Sequence, residues 1–206
     1  SNTQSNVVIP FEKDASDDDY DNNIIKLGYS PDFLFDGVIK YIKEQHERDW
    51  VHEINITGGG TKGYQLPKLF DYDNLASWWD NHDANKKECT KENAWVQIEF
   101  VHYSLILEHY TIASAADRPR KHQPKSWVIE VSENGKEWET VDTVVNCMEM
   151  NVRKPVRTFP LSKPTKPIHF FKFVMNQNHA KQDGHNAYEL SLSAIELYGK
   201  LIDLEY

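Results

Sequence analysis

The spacing of apolar residues changes near Trp50. In residues 31–49, apolar side chains recur every three or four positions, which is the spacing of one helix face. The stripe consists of Phe35, Val38, Ile39, Ile42 and His46. The pattern predicts a helix, and because so short a helix is unstable alone, its stripe should pack on the residues that follow.

Beyond Trp50, apolar and polar residues alternate, which predicts β-strands. Residues 95–100 show this best, with Val96, Ile98 and Phe100 on one face. The same alternation predicts strands at residues 51–57, 110–113, 126–132, 137–145, 170–175 and 189–198. No helical spacing separates these strands, so we expect an antiparallel sandwich or barrel rather than a parallel βαβ fold.

Two local irregularities are predicted within these strands. Asn134 and Gly135 lie between two of them, and Asn-Gly favours a type I′ hairpin turn with positive φ at both residues. In the last strand the apolar alternation skips a step at Ser193 and Ala194, which predicts a β-bulge.

The net charge of −9 is unevenly distributed over the 206 residues. Residues 1–100 hold 10 Lys or Arg and 19 Asp or Glu, whereas residues 101–206 hold 13 of each. Nucleic-acid binding is not expected, because it depends on neutralising phosphates with positive charge. Residues 14–23 are mainly acidic, so residues 1–25 are predicted to form a flexible tail.

The reactive side chains form no recognisable catalytic motif. Cys89 and Cys147 are too few for a disulfide framework and are predicted to be free thiols, which favours a cytoplasmic location. The glycine-rich stretch at residues 58–63 ends in Lys-Gly, not in the Gly-Lys-Ser/Thr of a phosphate-binding loop. We therefore expect no enzyme activity, no cofactor and no metal.

Four segments resemble, in order, the F5/8 type C or discoidin family. At residues 127–138 a strand ends in Ser-Glu-Asn-Gly, and Trp138 follows three residues after the glycine. The others are Ile-Asn-Ile-Thr at 54–57, Trp-Val-Gln-Ile-Glu-Phe at 95–100 and Ile-Glu-Leu-Tyr-Gly at 195–199. The resemblance implies an all-β fold, an antiparallel jelly-roll β-sandwich, here with an N-terminal helix.

The resemblance also suggests a division of the chain. We expect an acidic flexible tail at 1–25, a helical lead-in at 26–49 packed on the domain, a discoidin-like domain at 50–200 and a C-terminal extension at 201–206. The likeness is greatest to intracellular protozoan versions that end larger proteins, so the chain is expected to be part of a longer polypeptide. No cysteine lies near residue 50 or 200 to tie the ends together, as it does in secreted members.

The family's ligands dock on loops at one end of the sandwich, which correspond by motif order to residues 58–66, 114–125 and 146–156. Tyr64 is the candidate stacking surface there. The candidate polar contacts are Arg118, Arg120, His122 and Arg153, with His185 and Asn186 on a secondary loop. Of the pair Trp78 and Trp79, at least one is expected in the core.

The expected ligand is a protein partner, with a carbohydrate as the alternative. Membrane-binding members of the family expose hydrophobic residues on their loop tips. The corresponding loops of this chain are polar, so membrane insertion is not expected.

Overall fold

The computed structural model describes residues 23–82, 89–180 and 187–204. The strands are β1 (Ile24–Leu27), β2 (Ile54–Gly58), β3 (Trp79–Asp80), β4 (Trp95–Phe100), β5 (Tyr103–Ala113), β6 (Pro124–Ser132), β7 (Glu139–Val144), β8 (Val156–Pro160), β9 (Phe170–Asn178), β10 (Ser191–Leu192) and β11 (Ala194–Asp203). Helix α1 covers Val38–His46, and 3-10 helices cover Glu47–His52, Gly63–Phe70, Lys91–Asn93 and Met148–Met150.

Two antiparallel sheets enclose the core. One has the strand order β1-β11-β5-β8 and the other the order β2-β4-β9-β6-β7, while β3 and β10 pair separately. The alternating residues Val96, Ile98 and Phe100 of β4 are buried, as are Phe171 and Phe173 of the neighbouring β9. The structure thus confirms the predicted antiparallel β-sandwich with an N-terminal helix.

Helix α1 is docked on β11 by a buried carboxylate. Glu196 accepts hydrogen bonds from the backbone N–H groups of Ile39 at 2.9 Å and Lys40 at 3.1 Å. The residue before the helix, Gly37, has no side chain to cap these N–H groups. A strand distant in sequence therefore supplies the cap that the helix lacks.

The burial predicted for the apolar stripe is confirmed for three of its five residues. Val38, Ile39 and Ile42 are fully buried, while Phe35 is partly buried and stacks on Tyr72 at a ring separation of 4.7 Å. The regular helix is shorter than predicted and begins only after Gly37, whose backbone lies against that of Leu197.

The predicted type I′ turn is wrong. Gly135 has a φ of 72°, but Asn134 does not have a positive φ. The Ser132 hydroxyl accepts from the Gly135 N–H at 2.9 Å, and the Asn134 side-chain oxygen accepts from the N–H groups of Lys136 and Glu137, each at 2.9 Å. These side-chain hydrogen bonds stabilise a wider turn, so only one residue needs the left-handed conformation.

The break predicted at Ser193 is a change of partner strand. The chain leaves β10, which pairs with β3, and enters β11, which pairs with β5. The register shift between β11 and β5 lies instead between Tyr198 and Gly199.

Both ends of the sandwich domain differ from the expected boundaries. Ile24 and Ile25, placed in the tail from sequence, belong to β1, and β11 continues to Asp203, inside the expected C-terminal extension. Ile24 pairs with Ile202, so the two differences have one cause. The strands β1, β3 and β8 were not predicted. In the described ranges, no helix is both long and apolar enough to cross a membrane.

Candidate functional site

A cleft of about 350 Å³ opens beside the loop that joins β5 to β6. Its lining residues are Trp78, Ala115, Ala116, Asp117, Lys121, His122 and Ser191. Residues distant along the chain meet here because β3 pairs with β10, with Asp80 opposite Ser191, and this brings Trp78 to the same cleft as Ser191. Five of the seven lining residues belong to one of the three loops expected to bind ligand, residues 114–125.

Trp78 provides the aromatic surface of this cleft. Its side chain is 50% exposed, whereas its neighbour Trp79 is fully buried. Successive side chains of an extended segment point in opposite directions, so one indole enters the core and the other faces solvent. The expectation that at least one of the pair belongs to the core is confirmed.

His122 is held by a network of acidic and basic side chains at the cleft. Its Nε2 lies 3.1 Å from one oxygen of Glu189, and the other oxygen of Glu189 lies 3.1 Å from Nδ1 of His82. Asp80 accepts from the His82 N–H at 3.0 Å and from the Lys62 ammonium at 2.8 Å. The network connects four separate segments and fixes the ring of His122 without a ligand.

Gln123 fixes the shape of the loop from within. It is fully buried, and its amide N–H donates to the carbonyls of Arg118 at 2.9 Å and Val152 at 3.1 Å. Its side-chain oxygen accepts from the Lys121 N–H at 2.7 Å. Gln123 thereby joins loop 114–125 to loop 146–156 and supports Lys121 at the cleft.

The structure brings most of the predicted site residues to one region. His122 lines the cleft, and the exposed residues Arg118, Arg120 and Arg153 lie on the two loops that Gln123 connects. His185 and Asn186, the predicted secondary loop, lie outside the described residues.

Tyr64 lies apart from these residues. It is 79% exposed on the 3-10 helix Gly63–Phe70, where its hydroxyl accepts from the Gln65 side chain at 3.1 Å, and it does not line the cleft.

Sequence reasoning did not select Trp78, Lys121 or Ser191 as site residues. The adjacent tryptophans were a usable signal, because a short strand exposes one residue of such a pair. No sequence signal placed Ser191 in the same cleft as Trp78, since that arrangement depends on pairing between distant strands.

The cysteines lie outside the cleft. Cys89 and Cys147 form no disulfide, and both are buried. Burial raises the pKa of the Cys147 thiol, so this thiol stays protonated near neutral pH and is a weak nucleophile. Throughout the described ranges, no three His, Cys, Asp or Glu side chains are arranged to hold a metal ion.

Solved structures share this fold. The F5/8 type C domain of a Bacteroides fragilis protein superposes with a TM-score of 0.52 at 12% identity, over 73% of this chain and 93% of that one. CBM32-3 from a family 31 glycoside hydrolase of Clostridium perfringens gives 0.51 at 14% identity, over 71% and 89%. CpGH89CBM32-5 from Clostridium perfringens, in complex with GalNAc-β-1,3-galactose, superposes with a TM-score of 0.50 at 11% identity, over 71% of this chain and 94% of that one. The chain therefore has the discoidin-like fold that its motifs predicted.

The sequence comparisons are less specific. No protein-family model matches the chain. The E3 ubiquitin-protein ligase Ufd4 of Drosophila melanogaster is 25% identical over 183 residues, which is 84% of this chain. The chain spans only 6% of the length of that curated relative.

Proposed function

We propose that this chain is a non-catalytic binding module whose ligand is a carbohydrate held in the Trp78 cleft. The half-exposed indole of Trp78 beside the polar side chains of Asp117, Lys121, His122 and Ser191 carries this proposal. It reverses the order of the sequence-based hypotheses, which put a protein partner first.

The chemistry of the cleft suits a sugar. A pyranose ring has an apolar face, which can cover an indole, and a rim of hydroxyls, which need donors and acceptors. Asp117 can accept from hydroxyls, while Lys121 can donate to them. Because Glu189 already orients His122, a ligand need not pay the entropy of ordering that ring.

The solved structures support the coarser part of the proposal, a non-catalytic binding module. Two of those described above are CBM32 modules, and one of the two was solved with GalNAc-β-1,3-galactose bound. Their identity to this chain, 11% and 14%, is too low to transfer the sugar itself.

An oligosaccharide array followed by calorimetric titration of the best ligand tests the proposal. Trp78→Ala should weaken binding at least tenfold, which corresponds to about 1.4 kcal/mol. Tyr64→Ala is the matched control, since it removes another exposed aromatic ring that does not line the cleft. Absence of any oligosaccharide ligand, or equal losses in both variants, would contradict a carbohydrate site at Trp78.

A protein partner remains the second candidate because of a separate apolar surface. Phe33 and Leu34 are 66% and 46% exposed just before α1. Leu34 also borders a cavity of about 450 Å³ that includes Phe35 and Tyr72. Large apolar side chains beside a pocket are typical of peptide-docking surfaces.

Substitution at this surface distinguishes the two candidates. A protein that binds the purified chain through this surface should lose affinity with Leu34→Asp. It should keep its affinity with Val145→Asp, which changes an apolar side chain that is 75% exposed on another loop. Trp78→Ala should also leave that affinity unchanged. A protein ligand that depends on Trp78 instead would make the cleft a peptide site.

The wider setting stays a prediction. Similarity to a small part of a large ubiquitin ligase agrees with a module inside a longer polypeptide. The cytoplasmic location expected from the two free cysteines also stays a prediction, which fluorescence microscopy of the tagged full-length protein can test.

A further inference from the structure

Positive charge is concentrated beside the Trp78 cleft, although the chain as a whole is acidic. The five cations of residues 117–121 and 149–154 are Arg118, Arg120, Lys121, Arg153 and Lys154. The same two stretches contain only two acidic residues, Asp117 and Glu149. We refer to the five cations as the cationic rim.

Backbone hydrogen bonds hold the rim against the cleft. The Lys154 N–H donates to the carbonyl of Ala116, a cleft residue, at 2.7 Å. The Arg120 N–H donates to the side-chain oxygen of Asn151 at 2.8 Å. The two loops therefore form one surface. Of the five cations, Lys121 lines the cleft, and the other four lie on the two loops beside it.

Among the described residues, none of the five rim cations forms an ion pair with a carboxylate. Other basic side chains do have carboxylate partners there, as Lys62 has in Asp80 and Lys40 has in Asp36. Four of the five cations are exposed and Lys121 is half-buried. Neighbouring cations without ion-pair partners repel one another, and an anion bound from outside would relieve that repulsion.

Two of the rim residues adopt backbone conformations that favour glycine. Arg120 has a φ of 59° and Lys154 a φ of 46°, both in the left-handed region. Glycine would adopt these angles without the Cβ crowding that an arginine or lysine experiences. The chain nevertheless places a long cationic side chain at each position, which is a reason to look for a role of those side chains in binding.

We infer that the ligand of this cleft is an acidic carbohydrate, with a carboxylate or sulfate on the cationic rim and a sugar ring on Trp78. The inference rests on the proposed carbohydrate function and adds the charge of the ligand. A guanidinium donates two parallel N–H groups to two oxygens of a carboxylate or sulfate, which gives Arg118, Arg120 and Arg153 the matching geometry. Asp117 serves the hydroxyls of the same ligand.

Titration with three oligosaccharides of equal length tests this inference. The probes are an oligogalacturonate for carboxylate, a heparin-derived fragment for sulfate and a neutral galacto-oligosaccharide. At least one acidic probe should bind ten times more tightly than the neutral one in physiological salt. Trp78→Ala should weaken that acidic probe at least tenfold. The stronger of the two acidic probes identifies the anionic group.

Glycine substitutions distinguish the effect of the charges on binding from an effect on the stability of the fold. The double variant Arg120→Gly/Lys154→Gly should lose at least tenfold in affinity for the acidic probe and keep its affinity for the neutral one. Its melting temperature should stay within about 2 °C, because glycine suits both backbone conformations. Glu47→Gly is the matched control, since Glu47 also has a positive φ, of 48°, but follows α1 and does not line the cleft.

The possible failures have distinct meanings. If the neutral probe binds as tightly as the acidic ones and the double variant changes nothing, the inference is overturned and the carbohydrate function stands. If no oligosaccharide binds, both fail. Polyglutamate is the remaining probe. If it binds with the same affinity as the acidic sugars and Trp78→Ala does not weaken its binding, the rim is a non-specific polyanion surface and the inference is wrong.

Discussion

Glu196 beneath α1 and His122 in the cleft are both polar side chains fixed by hydrogen bonds, but they differ in exposure. Glu196 is fully buried, and its carboxylate accepts backbone N–H groups from Ile39, Lys40 and Leu197. The His122 side chain is 24% exposed and borders an open cleft while Glu189 orients it. A buried group whose hydrogen bonds are all internal stabilises the fold, whereas an oriented group at a solvent-filled cleft can serve a ligand.

The comparison extends to the surroundings of each residue. Around Glu196, aromatic side chains close the site: the Tyr72 hydroxyl donates to the Ile195 carbonyl at 2.7 Å, and the Phe35 N–H donates to the Tyr198 hydroxyl at 3.2 Å. Around the cleft, the loops expose their charges. Substitutions at the first site should therefore affect stability, and substitutions at the second should affect binding.

Removal of the lead-in should have the largest effect. A chain lacking residues 1–49 loses the buried side chains of Val38, Ile39 and Ile42, each worth about 1.5–3 kcal/mol. That is a large part of a typical stability of about 5–15 kcal/mol. We expect insolubility or a fall in melting temperature of more than about 10 °C.

Removal of residues 1–22 is the control for this truncation. This segment ends in a mainly acidic stretch with little apolar surface to bury, so its loss should leave the melting temperature within about 2 °C. Equal melting of the two truncated chains would show that the lead-in is not part of the folded unit.

Glu196→Ala should have the next largest effect. It leaves three backbone N–H groups without their acceptor in a buried site, and each such loss costs about 1–3 kcal/mol. We expect a total loss of roughly 3–5 kcal/mol in chemical denaturation. Glu139→Ala removes an exposed carboxylate from β7 and should change stability by less than about 0.5 kcal/mol. Similar losses in both would refute a capping role for Glu196.

Glu196 should also make stability depend on pH. Burial raises its pKa from 4.5 to about 7, against the opposing effect of its backbone donors. Between these values the folded state binds more protons than the unfolded state, so stability should fall as pH rises from about 4.5 to 7 and then level off. Each pKa unit corresponds to about 1.4 kcal/mol, which gives a decline of roughly 3 kcal/mol.

Glu196→Gln isolates this pH effect. The glutamine variant does not titrate, so the difference between its stability curve and that of the unsubstituted chain reports Glu196 alone, while the nine histidines cancel. Parallel curves over pH 4.5–7 would show that Glu196 does not take up a proton on folding.

Gln123→Ala should lower both stability and ligand affinity moderately. It removes two hydrogen bonds within loop 114–125 and one that joins this loop to loop 146–156, with an expected loss of about 1–2 kcal/mol in stability. Because Lys121 and Arg118 lose their support, ligand affinity should fall as well. Gln65→Ala, which removes an amide that donates to the Tyr64 hydroxyl, is the control and should alter neither measurement. A stability loss with unchanged affinity would mean that the loops hold their shape without Gln123.

The smallest effect on stability is expected for the exposed aromatics. Trp78→Ala and Tyr64→Ala each remove a ring that is at least half exposed, so thermal melting should report changes within about 0.5 kcal/mol. A larger loss of stability for Trp78→Ala would show that Trp78 supports the fold.

The sequence by itself determined the fold class and the position of most strands. Alternation in residues 95–100, 126–132 and 170–175 is strong because each of these strands lies in the five-stranded sheet with one face on the core. The buried stripe of α1 was predictable for the same reason, since burial of one face imposes a period on the sequence. The loops predicted to carry ligand contacts followed from the order of the motifs.

Only the tertiary structure decided which residues share a site. The strands β1, β3 and β8 are short and carry weak alternation, and they form because a partner strand is available. Trp78 and Ser191 line one cleft, and Glu196 caps α1, because residues far apart in the chain are brought together. Local patterns predict which face of each segment is buried, but they do not predict which distant segment packs beside it. The cleft is formed by segments that are distant in the chain, so its composition could not be predicted.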